Sequence, residues 1–186
     1  FMTLGTKVLK KTRDQRFNVH SLKRCTKVQL NYFEKLFHET IEPVYGKQDK
    51  FLKKIFSGLD RECKLIFEGS KILGTIIYKK KLSNEYEQYG IKDGIEIKTF
   101  LLFSTNIKWN GLQAAYLFRD VASFAVEKDA NCLFGTVSEK KALHMNFFYN
   151  LGFQDVTKFP DFYEPGIYEK LLCHKNPFSL RERMGS

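Results

Sequence analysis

The sequence predicts an α/β chain (α+β in its strand pairing), with a mixed central sheet of about seven strands and helices on both faces. Three observations carry this. A strand, helix, strand run over 95–137 needs a crossover connection, which imposes a parallel pair. Turn-linked apolar runs on either side of it read as antiparallel hairpins. Two segments near the beginning, 26–43 and 49–58, repeat their apolar residues at helical spacing. The predicted order is strand, helix, helix, three strands, helix, strand, helix, two strands.

Each element has a local reason. Phe17 and Val19 alternate with polar residues over Arg16–Leu22, a first strand. Thr26-Lys27-Val28-Gln29 matches a capping box, and Leu30, Phe33, Leu36 and Phe37 follow at helical spacing. Pro43 is expected to end that helix. Asp49 is expected to cap a second one, built on Phe51, Leu52, Ile55 and Phe56 and stopped by Gly58. Strands Cys63–Phe67 and Ile72–Tyr78 are joined by the turn tetrad Glu68-Gly69-Ser70-Lys71. Asn84–Asp93 is a polar loop. Ile95–Ser104 is apolar on both faces at Phe100–Phe103, as a central strand requires. Gly111 precedes a helix running to about Asp129 with the stripe Ala114, Leu117, Val121 and Phe124. Cys132–Val137 reads as a buried strand, Lys140–Leu151 as a helix, and Phe153–Lys158 and Ile167–His174 as the last strands. A single domain is expected over 16–175, with a basic arm at 1–15 and a tail at 176–186.

The chain of 186 residues has a formal charge of +10 and no apolar run of membrane-spanning length. No secretory leader is visible, and a cytoplasmic protein without a membrane partner is expected. Cys25, Cys63, Cys132 and Cys173 lie far apart and outside any metal-ligand spacing, so they are expected to be reduced and no metal site is predicted. His20, His38, His144 and His174 show no ligand-like pairing, and no serine or cysteine has an evident base. The basic runs Lys7–Arg16, Lys23–Lys27, Lys47–Lys54 and Lys79–Lys81 suit a solvated face or attraction to something anionic.

The layout of Gly94–Leu172, with its Leu151-Gly152-Phe153 helix ending, resembles the cofactor-binding core of the GNAT acyltransferases. That resemblance implies an acyl-CoA-dependent N-acyltransferase fold and activity over about 16–175, most simply acetyl transfer from acetyl-CoA to an amine by direct attack. The family's phosphate turn, Arg/Gln-x-x-Gly-x-Gly/Ala, would fall on Lys108, Asn110, Gly111, Leu112, Gln113 and Ala114, where helix amides and the dipole favour an anion. The second small position is missing, because Gln113 stands there or Ala114 one step later. The resemblance also implies that backbone groups of Leu101, Leu102 and Phe103 pair with pantetheine. It further implies that Glu96 is the general base and a tyrosine protonates the departing thiolate. Counting four back from Gly152 gives Phe148, so Tyr149 becomes the candidate acid and Tyr163 a spare. Lys141 stands near the family's asparagine and suits a phosphate or plain surface charge. The acceptor is left open between a small molecule, a protein and aminoacyl-tRNA, and a homodimer is left open too. The competing readings are a non-catalytic module for RNA or a protein partner, and a transferase whose acceptor rides on tRNA or a carrier protein.

Overall fold

The computed structural model describes residues 16–103 and 107–184, without the side chains of 107–110. The arm expected at 1–15 lies outside these residues. Helix α1 (Lys27–Tyr45) begins at the predicted capping box: Thr26 Oγ1 accepts from the Gln29 amide at 3.2 Å, and Gln29 Oε1 accepts from the Thr26 amide at 2.8 Å. Pro43 does not end α1 but sits in its last turn, where it forgoes only one hydrogen bond. The stop is Gly46, whose φ of 72° suits glycine and whose amide donates to the Glu42 carbonyl. Helix α2 (Asp49–Ser57) follows, with Asp49 as its first residue rather than its cap.

The strands are β1 (Phe17–Ser21), β2 (Arg61–Glu68), β3 (Lys71–Lys79), β4 (Gly94–Leu102), β5 (Cys132–Ser138), β6 (Gln154–Pro160) and β7 (Tyr168–His174). They form one seven-stranded sheet in the order β1-β2-β3-β4-β5-β7-β6. Only β4 and β5 run parallel. The crossover between them is helix α3 (Ile107–Glu127). A 3-10 turn at Glu139–Lys141 leads into helix α4 (Ala142–Asn150), so the helix predicted from Lys140 is shorter and bent at its start.

The expected tail at 176–186 instead forms helix α5 (Pro177–Arg183), packed on α3 with Leu180 and Met184 buried in the core. Its seven residues and two buried side chains gave too short a pattern to read as a helix. Helices α1 and α2 cover one face through Phe33, Phe37, Ile41, Leu52 and Ile55. Helices α3, α4 and α5 cover the other. Among the described residues no helix is long and apolar enough to cross a membrane.

One irregularity positions the site. On β4, Ile97 pairs with Tyr78 and Thr99 with Ile77, so Lys98 is an extra residue in a bulge. The bulge coincides with the end of the β4–β5 ladder, whose last pair is Ile97 with Gly135. There the backbones approach so closely that a Cβ on Gly135 would meet the Ile97 carbonyl oxygen at 2.8 Å. Gly135→Ala is therefore expected to destabilise the protein by about 1–3 kcal/mol, because backbone must move rather than a side chain. Urea unfolding checks this; unchanged stability would refute the close approach.

Candidate functional site

Strands β4 and β5 pair only from Gly94–Cys132 to Ile97–Gly135. Past that point Thr99–Leu102 stay paired with β3 on one side, and Thr136–Ser138 with β7 on the other. Among the described residues the facing edges have no strand partner, although unpaired buried backbone groups are costly. The gap opens into a cleft of about 160 Å³.

The lining comes from both faces of the sheet. Phe100, Val137, His144 and Phe148 belong to the α3–α4 side. Tyr45, Phe51, Arg61, Thr136, Tyr163 and Glu169 belong to the α1–α2 side. The cleft thus connects the two faces.

Glu169 is the carboxylate inside it, on β7 and 3% exposed. Burial pushes its carboxyl up to about 7, while hydroxyls of Thr136 and Tyr45 within hydrogen-bonding reach pull it down less strongly. Tyr45, at the end of α1, stacks edge-on against Tyr163 at 4.9 Å, and burial raises its own phenol. Tyr163 sits on the β6–β7 loop, which Lys140 ties back through an ion pair to Glu164. On the opposite side, burial lowers the His144 imidazole to about 4, so it is neutral at physiological pH. Burial also lowers the Lys141 ammonium, which lines the cleft as well.

The sequence-predicted residues fall in several places. Leu101 lines the cleft, Leu102 ends β4, and the Phe103 amide donates to the Leu73 carbonyl at 2.7 Å. Glu96 precedes the bulge and does not line the cleft. Burial pushes its carboxyl up, but Lys98 Nζ at 3.0 Å and Lys79 Nζ at 3.1 Å outweigh this and hold it below the usual carboxylate range. Tyr149 does not line the cleft either; its hydroxyl donates to Asp155 Oδ1 at 2.5 Å and meets Lys170 Nζ at 3.3 Å. Phe148 takes the place beside the cleft, edge-on to Phe118 at 5.1 Å and Phe153 at 5.0 Å. His38, which shows no ligand-like pairing in the sequence, bonds Glu42 at 2.6 Å one turn along α1.

The helix expected to follow Gly111 starts earlier. Gly111 lies inside α3, four residues after Ile107, rather than before it. Within the helix the amides left free by its geometry therefore belong to 107–109, and those of Leu112, Gln113 and Ala114 are used in its own ladder. The side chains of Lys108 and Asn110 lie outside the described residues. Leu112 and Ala114 are core residues. Gln113 is 2% exposed, and its Oε1 has no hydrogen-bond partner among the described residues. Gly111 borders open space: a Cβ there would meet nothing within 4 Å.

No protein-family profile matches the sequence, and no curated protein does. Solved structures do match. NAA60 of Arabidopsis thaliana, in complex with a bisubstrate analogue, superposes with a TM-score of 0.68 at 16% identity, over 85% of this chain and 97% of that one. A Desulfovibrio desulfuricans protein described as a GNAT-family acetyltransferase gives 0.66 at 13% identity, over 86% and 98%. An aminoglycoside 6'-N-acetyltransferase complexed with coenzyme A gives 0.64 at 13%, over 84% and 96%. The chain has the GNAT fold. In this GNAT fold the order of the seven strands and first four helices along the chain, and the parallel β4–β5 pair, are those the sequence predicted.

Two cleft residues that sequence reading missed carried a signal. Glu169 alternates with Leu171 and Cys173, and Arg61 with Cys63 and Leu65, so each sits on an inward-facing strand position where a charge needs a reason. Because burial favours the protonated form, Glu169 costs stability as pH rises from about 4.5 through about 7. Glu169→Gln is expected to remove that loss, worth up to about 3 kcal/mol, so the variant gains on the wild type between pH 5 and 8. Thermal unfolding across pH checks this; parallel curves would show an ordinary carboxyl.

Proposed function

We propose that this protein is an acyl-CoA-dependent N-acyltransferase, moving acetyl from acetyl-CoA to an amine. The carrying observation is the cleft through the sheet, bounded by two unpaired strand edges. An extended chain with amide groups, such as the pantetheine arm, satisfies those edges as an added strand would. Of the edge predicted at Leu101, Leu102 and Phe103, the same reading assigns Leu102 to the donor, since the Phe103 amide is spent on the Leu73 carbonyl and Leu101, two residues back, faces β3 likewise. It assigns the diphosphate to the start of α3, where Ile107–Trp109 offer amides and Gly111 borders open space. The likeness to structures bound to coenzyme A and to a bisubstrate analogue supports this reading.

The donor supplies an activated acetyl group. The chain's residues supply the rest. Glu169, on the α1–α2 face, is the general base: with a carboxyl near 7 it is poised to take a proton from the amine as nitrogen attacks the thioester carbon. Glu96, held ionised by two lysines, serves the local field rather than proton transfer. The C–S bond breaks as the C–N bond forms, and the thiolate leaves on the α3–α4 face. Phe148 cannot give it a proton. Lys141, a cleft-lining ammonium whose acidity burial increases, is the proton source, and Tyr149 is left to its Asp155 bond.

Calorimetric titration with acetyl-CoA is expected to show saturable binding, and no heat at millimolar donor would overturn the proposal. Glu169→Gln is expected to keep donor binding, lose about 10²–10⁴-fold in kcat/KM, and lose the rise in rate through about pH 7. Full turnover by that variant would remove Glu169 as base. Gly111→Ala is expected to stabilise the fold by about 0.5–1 kcal/mol, as helix propensity dictates, while weakening acetyl-CoA several-fold. Unchanged affinity would move the diphosphate away from Gly111.

A further inference from the structure

We infer that the acceptor amine carries an anionic group, a carboxylate or a phosphate, and that Arg61 holds it. The inference rests on the transferase reading and names its acceptor class.

Arg61 opens β2 and is 7% exposed. Its guanidinium lies over the Phe51 ring, 4.5 Å from the centroid. Nε and one terminal nitrogen are buried with no hydrogen-bond partner among the described residues. A buried guanidinium with idle donors is costly, and structures retain one where something else completes it. The planar fork suits a two-oxygen anion.

Its location says what that anion belongs to. Arg61 lines the cleft together with Glu169 and Tyr45, on the face opposite Phe148 and Val137. This is the side from which an acceptor reaches the donor across the sheet. A second hollow, of about 400 Å³, meets the cleft at Gln48, Phe51 and Arg61. Its rim carries Lys47, Lys50 and Lys54 against the single carboxylate Asp49, so the approach is cationic. Asp60 and Glu96 act on Arg61 from longer range, and Glu96 is already matched by Lys79 and Lys98. An amine paired with an anion therefore lodges with nitrogen toward Glu169 and negative charge on Arg61. A polyamine meets positive charge at both the hollow and Arg61.

The test compares acetyl transfer to β-alanine (carboxylate), phosphoethanolamine (phosphate), ethanolamine (neutral) and putrescine (dication), read as thiol release. The anionic amines are expected to exceed ethanolamine in kcat/KM by about tenfold or more, with putrescine lowest; the better of the two anionic arms identifies the oxygen acid. Arg61→Met, which keeps an unbranched stem on Phe51, is expected to bring the anionic-to-neutral ratio down to about one, a ratio that a folding defect does not move. Ethanolamine or putrescine equalling the anionic amines would overturn the assignment. Two measurements separate this from the transferase reading. Glutarate or inorganic phosphate, without acetyl-CoA, is expected to raise the melting temperature of the wild type and not of Arg61→Met. That result with no acetyl-CoA binding would sink the transferase reading alone. Donor binding and turnover without any anion effect would sink the Arg61 assignment alone. Unliganded Arg61→Met is expected to melt no lower than the wild type, since an unpaired buried charge is removed; a marked drop would show a structural role and overturn the inference.

Discussion

The candidate site in this molecule depends on a ladder that stops early. Strands β4 and β5 are joined over four register pairs, and then a single extra residue, Lys98, turns β4 aside. A bulge adds twist and removes one strand from its neighbour's reach. Gly135 makes the last contact tight, so divergence begins abruptly rather than as a gradual fraying. The wedge is held open from behind by edge-to-face rings: Phe100 on Phe118 at 4.9 Å, and Phe148 between Phe118 and Phe153. The aromatic richness of the sequence is thus spent in part on keeping two strands apart.

Two buried carboxylates show how little burial alone decides. Glu96 and Glu169 are 4% and 3% exposed. Desolvation raises both. Glu96 has two ammonium groups at 3.0–3.1 Å and stays ionised, whereas Glu169 has only hydroxyl partners and remains near neutrality in proton affinity. The difference lies in what β3 and the bulge bring to one residue and not to the other.

Much of the fold was legible in the sequence, because local signals agreed with one another. The Thr26–Gln29 box, the Gly69-Ser70 turn and the central apolar strand each point to one structure, and the order of elements left one parallel pair. The C-terminal helix escaped because its identity comes from packing on α3, not from periodicity. Pro43 misled because a proline in a last turn gives up little. The site was less legible. The empty acid position at Phe148 was found by counting from Gly152, yet its consequence needed coordinates showing Tyr149 bonded to Asp155. Glu169 and Arg61 are far apart in sequence and line one cleft only because β2 and β7 belong to one sheet.

Helix α1 has 19 residues, a rod about 28 Å long. One end is nailed down by the reciprocal bonds of Thr26 and Gln29; the other delivers Tyr45 to the mouth of the cleft. Pro43 leaves a rung missing just before that tip. The first end thus sets the register of the whole rod against the sheet, and the last turn, closed by the Gly46 amide on the Glu42 carbonyl, sets Tyr45 against the ring of Tyr163.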